Sequence, residues 1–251
     1  MRNRSFFFRN SLQETINSEH DAYLDLTSKQ FKTMIYSQYY ESWIREDCAN
    51  FKLQKLMHMS LEKGLSSFHF SKVLEIGARS LEHFNHVKHS FDTYLLTDIE
   101  KVSLTSTNLE DFDERLKFQV DDICKSKLPS ETFDRVILTC VLHHVRDVES
   151  SLLHIRRTMQ SGAIASILLP CDPGIVYRIG KHIGPYRRAK QGNYLYIKKL
   201  MDARDHVNHH IGIKSLIQHV FRRDLISERY YPFNLHFHDL NIWSVFTIKK
   251  R

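Results

Sequence analysis

The chain is predicted to be an α/β protein with a doubly wound, mostly parallel sheet, and three observations predict it. Between residues 71 and 170, short apolar runs rich in β-branched residues alternate with longer segments, the order of strands joined by crossovers. The first run, S-K-V-L-E-I, passes straight into Gly77 and then into further apolar positions, the strand–turn–helix order of a nucleotide site. The second, T-Y-L-L-T-D, ends on Asp98 about twenty residues later, where a carboxylate can accept hydrogen bonds from both hydroxyls of a ribose.

The elements follow in order. Residues 1–70 carry apolar side chains at helical spacing (Phe31, Ile35 and Tyr39, then Phe51, Leu53, Leu56, Met57 and Leu61), with Gly64 as a helix stop. They predict a helical lead-in that covers the sheet. Strands are expected near 72–76, 93–97, 116–120, 133–139 and 163–169, with helices between them. C-D-P-G after Pro170 is a turn, and the Tyr-, His- and Arg-rich stretch beyond it, to about residue 212, reads as irregular. A helix near 213–222 and two β-rich runs at 226–233 and 241–249 complete the chain. No repeat or low-complexity tract interrupts it.

A glycine turn lets backbone N–H groups approach a ligand closely, so Gly77 and Asp98 together point to an adenosine cofactor. The turn is incomplete: a full E-x-G-x-G-x-G run would have glycine where Arg79 and Leu81 stand. Glycine is scarce throughout, at 8 of 251 residues, so these two losses partly follow the composition of the whole chain.

The continuation carries more weight. From Phe118 the chain reads F-Q-V-D-D-I-C, later F-D-R-V-I-L-T-C-V-L-H-H, and then M-Q-S-G-A-I-A-S-I-L-L-P. Together with the glycine turn, residues 71–170 resemble class I S-adenosylmethionine-dependent methyltransferases, of the type 11 kind. The resemblance implies a Rossmann-like fold with a seven-stranded sheet whose last strand is antiparallel. It also implies S-adenosyl-L-methionine as cofactor. It would place Glu75, Gly77, Ala78 and Arg79 in the first cofactor motif, Asp98 at the ribose, and Asp121 or Asp122 with Ile123 at the adenine. Thr139 and Cys140 would end the fourth strand beside the methyl-transfer site, and His143 and His144 would stand at its rim.

Composition sets the frame. With 251 residues and 42% hydrophobic content the chain can bury one sizeable core, and one methyltransferase domain is expected over its whole length. That domain would comprise the lead-in (1–70), the cofactor core (71–170), an acceptor-side insertion (171–225) and closing strands (226–251). No apolar run reaches the roughly 20 residues of a spanning helix, and F-F-F near the start is too short for a signal peptide, so a cytoplasmic protein is expected. Cys48, Cys124, Cys140 and Cys171 show no C-x-x-C spacing and are read as reduced thiols. The net charge of +7 suits an anionic partner or simply a solvated basic surface.

A sulfonium is already an activated methyl donor, so alignment supplies most of the acceleration and a base is needed only for some acceptors. His144, with His143 beside it, is the candidate base. The acceptor side is assigned to Asp172, Arg187, Arg188, His206, His209 and His210, because the segment after strand five concentrates basic and aromatic residues. The run R-D-H-V-N-H-H could ligate a metal, but no second carboxylate-rich element completes a site, and no metal is expected. The reading is therefore methyl transfer to oxygen or nitrogen of a small-molecule or glycan-like acceptor, phosphate-bearing among the options. Two alternatives stand beside it: a noncatalytic relative serving as a binding or scaffold module, and an RNA methyltransferase. The latter has charge in its favour but no RNA-binding appendage and no N-P-P-Y motif at strand four.

Overall fold

The computed structural model describes residues 49–78, 81–100, 113–191 and 195–251. Phe31, Ile35, Tyr39, Cys48 and Arg79 lie outside the described residues. Seven strands form one sheet in the order β3-β2-β1-β4-β5-β7-β6. They are β1 (His69–Ile76), β2 (Ser90–Asp98), β3 (Leu116–Val120), β4 (Phe133–Thr139), β5 (Met159–Pro170), β6 (Leu225–Tyr231) and β7 (Trp243–Lys249). The first five pair in parallel, whereas β7 runs antiparallel to both β5 and β6. All seven expected strands are present, and the sheet is the Rossmann-like one that the resemblance implied.

Strand periodicity divides the core. Val73 of β1 lies on one face with Tyr94, Leu96 and Ile137, covered by α1 (Ala49–Leu61) through Leu61 and by Leu65 beyond it. Leu74 and Ile76 face the other side. There they meet Leu152 and Ile155 of α2 (Val148–Thr158), while Ile213 and Ile217 of α6 (His210–Val220) extend the same core. Asp147 caps α2 by accepting from the Ser150 N–H at 2.9 Å, and Arg156 and Arg157 sit in its last turn, where cations favour the helix dipole. The lead-in helix ends at Leu61, and Gly64 follows in the turn with φ +83°, consistent with its expected role as a stop.

Two expectations are corrected. The crossovers are not regularly helical: among the described residues between β1 and β2 (77–89) the one helical piece is a 3₁₀ turn at Phe84–His86, and between β3 and β4 it is one at Ile123–Lys125. Thirteen residues of α-helix would span about 20 Å, while the return along β1 needs more than about 20 Å plus two turns, so the chain must run more extended. Conversely, the stretch read as irregular is helical. It forms α3 (Ile175–Lys181), a π turn (His182–Tyr186), α4 (Arg187–Gln191) and α5 (Leu195–Asp205). Pro185, which lacks an N–H, sits inside the widened turn. These helices were hidden because polar pairs hold them. Lys198 binds Asp202 at i,i+4, Lys181 reaches Asp202 at 3.2 Å, and the Tyr186 hydroxyl donates to Asp202 at 3.0 Å.

Candidate active site

The carboxyl ends of β1, β2, β4 and β5 meet where the strand order reverses between β1 and β4, the crevice where open α/β sheets bind ligands. At the end of β1, Gly77 has φ +74°, and a Cβ there would collide with Val141 Cγ2, so only glycine fits. The N–H groups of Gly77 and Ala78 both donate to the Thr97 carbonyl, at 2.8 and 3.1 Å. The turn is thus tied to β2, and these two donors are not offered to a ligand. Ala78 itself is buried in the α1-side core. Leu81, at the last missing glycine of the motif, nevertheless keeps a left-handed backbone at φ +62°, a strained state for a branched residue that its burial offsets.

Asp98 ends β2, half-buried, with one carboxylate oxygen accepting from the Glu100 N–H at 3.2 Å. Its carbonyl accepts from the Asp121 N–H at 2.9 Å, which sets the exits of β2 and β3 side by side. Asp121 is half-buried. Asp122 is exposed and caps the Ile123–Lys125 turn by accepting from the Cys124 N–H at 3.0 Å. Ile123 belongs to the α2-side core, so any part it has in a ligand site falls to its backbone. Glu75 is enclosed. It accepts from the Tyr94 hydroxyl at 2.6 Å, and burial above all raises its carboxyl pKa, so it can support the turn but does not line the crevice.

At the end of β4 the Thr139 hydroxyl oxygen is buried without a partner, the kind of orphan a bound ligand would satisfy. Cys140 follows with φ +56°, its thiol pushed up to about 12 by burial and then by Glu82. Glu82 is itself raised by burial. Sequence reasoning missed this acid, which carries no motif.

Beyond β4 the chain turns, and a second loop is clamped onto it. The Asn208 N–H donates to the His143 carbonyl at 3.2 Å, its side-chain amide donates to the Leu142 and Val145 carbonyls, and the His210 N–H donates to the Asp172 carbonyl at 3.0 Å. His206 is thereby brought to His143 and His144, with ring centroids 4.7 and 5.1 Å away. Nδ1 of His144 bonds the Asp205 carbonyl at 2.9 Å, and Nδ1 of His206 bonds Asp172 at 3.2 Å. Nδ1 of His143 is buried with no partner, and burial, then His144, His206 and Lys181, hold its pKa well below the usual imidazole range. Lys181, one of the basic residues concentrated after strand five, is 3.5 Å from Asp172, and Tyr177, Tyr186 and Asp202, which the sequence did not flag, close this side. Burial opposes ionisation of Asp172, but His206 and Lys181 outweigh it and keep its carboxyl below the ordinary value.

The fold therefore gathers Asp172, His143, His144 and His206, and separates the others. Arg187 and His209 are exposed, and Arg188 is half-buried with one guanidinium nitrogen lacking a partner. His210 is a correction: it is buried between α6 and β7, bonding Ser244 at 2.8 Å and stacked on His238.

Residues 74–167 match the family described as "Methyltransferase domain". This central segment thus matches a methyltransferase family, and the sheet around it has the fold of class I S-adenosylmethionine-dependent methyltransferases. A hybrid PKS-NRPS synthetase of Neonectria sp. is 23% identical over 133 residues, 49% of this chain, and the chain spans only 3% of that protein's length. Among solved structures, the plantazolicin methyltransferase BpumL superposes with a TM-score of 0.61 at 12% identity, covering 90% of this chain and 93% of that one. The CurJ carbon methyltransferase gives 0.57 at 19% identity, over 95% of this chain and 63% of that one. Such distant likenesses concern the fold.

Proposed function

We propose that the protein, acting as one methyltransferase domain, transfers the methyl group of S-adenosyl-L-methionine to oxygen or nitrogen of a small-molecule or glycan-like acceptor bearing an anionic group such as phosphate. The observation that carries the reading is the apposition of two half-sites along one sheet edge. Gly77, Asp98, Asp121 and the orphaned Thr139 hydroxyl lie at the ends of β1 to β4, and the Asp172–His206–His143–His144 cluster lies above β4 and β5. When bound, the cofactor supplies an activated methyl group. The residues supply position. In this reading Asp98 holds a ribose, Asp121 or Asp122 an adenine, and helices α3 to α5 form the acceptor side, leaving alignment as the main source of acceleration. Arg188, with an unpartnered nitrogen, is the cation best placed for an anionic group. If its Nδ1–H donates to the Asp205 carbonyl, His144 keeps a lone pair on Nε2 to take a proton from a hydroxyl acceptor. The three described cysteines are free thiols, in keeping with a cytoplasmic protein. No described helix is long and apolar enough to cross a membrane.

Calorimetry with S-adenosylhomocysteine tests the reading. Binding is expected, and Asp98→Ala should weaken it by about 1–3 kcal/mol, the loss of hydrogen bonds to a charged group. No binding at millimolar ligand would leave the scaffold alternative in its place.

A further inference from the structure

We propose that His143, His144 and His206 form a three-histidine site for a divalent transition ion of the zinc type. A ring nitrogen from each lies within 4.8 Å of the others. Two ligands come from the loop after β4 and the third from the loop after α5, joined by the Asn208 clamp. Taken alone, the run around His206 lacks partners for a site, because its partners lie some sixty residues earlier in the chain.

Three features distinguish the cluster from a chance meeting of imidazoles. His143 is only 5% exposed, yet its Nδ1 has no hydrogen-bond partner; His89 and His210 also carry a buried unpartnered ring nitrogen, but among the described residues neither belongs to a group of three facing ligand atoms as His143 does. Nδ1 of His144 faces the Asp205 carbonyl and Nδ1 of His206 faces the Asp172 carboxylate, the supports that fix metal-binding imidazoles in the tautomer whose other nitrogen points at the ion. The Lys181 cation beside Asp172 is neutralised by Asp172 and Asp202. Ligand nitrogens around tetrahedral zinc, at about 2.1 Å from the ion, lie about 3.4 Å apart, so the rings must close by roughly 1 Å, within reach of small side-chain rotations. Three protein ligands leave a coordination position for water or a further oxygen or nitrogen donor. With the ion bound, the imidazoles would act on an acceptor through it and not as free bases. The site itself does not depend on the methyl-transfer reading.

The test uses the full chain, stripped with a chelator and titrated with zinc, with cobalt(II) as an optical probe. One equivalent is expected to bind at micromolar concentration or tighter, and cobalt(II) should give the intense visible bands of a four-coordinate nitrogen-rich site. His206→Gln and His144→Gln should each weaken binding at least 100-fold. Asp172→Asn should weaken it about 10- to 100-fold, while His219→Gln on the exposed face of α6 leaves it unchanged. Circular dichroism verifies folding of each variant, and since His144 and His206 are not fully buried, the test does not need the His143 variant. Absence of binding at 100 μM metal, or binding that survives both histidine changes, overturns the proposal. S-adenosylhomocysteine binding is measured separately, so failure of either proposal is visible independently of the other.

Discussion

Two clusters of buried polar groups lie on the same sheet and differ in how they are completed. Toward the amino ends of the strands, Glu62 accepts from His89 at 2.7 Å, Arg135 at 3.1 Å and His83 at 3.3 Å, and Arg135 is also held by Ser166 at 2.9 Å. Burial disfavours the Glu62 carboxylate, yet bonds from His83 and His89 and the Arg135 charge prevail and hold its pKa far below the ordinary range. At the carboxyl ends, His143, His144 and His206 converge on one another, with a buried nitrogen and the nearby Thr139 hydroxyl unpartnered. The first cluster has a carboxylate to match its donors and serves the fold. The first also keeps two buried atoms without partners, His89 Nε2 and Arg135 Nε, so an orphaned nitrogen alone does not mark the second as a site; what does is that its three ring nitrogens face one another within 4.8 Å.

The largest effect should come from opening the first cluster. Glu62→Gln leaves the Arg135 guanidinium and two imidazoles around a neutral amide at a wholly buried position, and a loss of about 3–5 kcal/mol is expected from urea unfolding. A loss under about 1 kcal/mol would mean that the network does not hold the sheet, and the comparison would fail.

Acid should reveal the same distinction between buried groups with and without a matching charge. Burial, then His238 and Lys214, lower the pKa of His210 from 6.5 to about 4. Between those values the unfolded chain binds a proton that the folded protein does not. This contribution is therefore fully present above pH 6.5 and lost as pH falls toward 4, by at most about 3 kcal/mol. The contribution of Glu62, whose folded pKa is depressed, should persist to lower pH and fade only below about 4.5. Urea midpoints measured from pH 7.5 to 4 should fall in wild type and flatten in His210→Gln; an equal slope in both would show that His210 does not titrate this way.

The smallest effect on stability should come from the second cluster. Asp172→Asn removes the partner of His206 and one partner of Lys181 at a partly solvated position, and should cost less than about 1 kcal/mol. A loss as large as that of Glu62→Gln would place Asp172 in the structural class and narrow the difference between the two regions.

What could be read without coordinates was the part in which neighbours along the chain do the work. Seven strands were legible because each carries its own apolar run, and Gly77 and Asp98 because a turn residue and a strand-end acid have local signatures. The helices from 175 to 205 were not, since ion pairs and a π turn hold them and leave little apolar period to see. Leu81 shows a subtler limit, a glycine-like backbone at a residue that only core packing makes tolerable. His206 and His210 differ by four positions in the same histidine-rich run, yet one joins His143 and His144 and the other is buried against Ser244. Local sequence cannot separate them. Their burial and partners are set by contacts tens of residues away, which exist only once the sheet has closed and Asn208 has pinned one loop to the other.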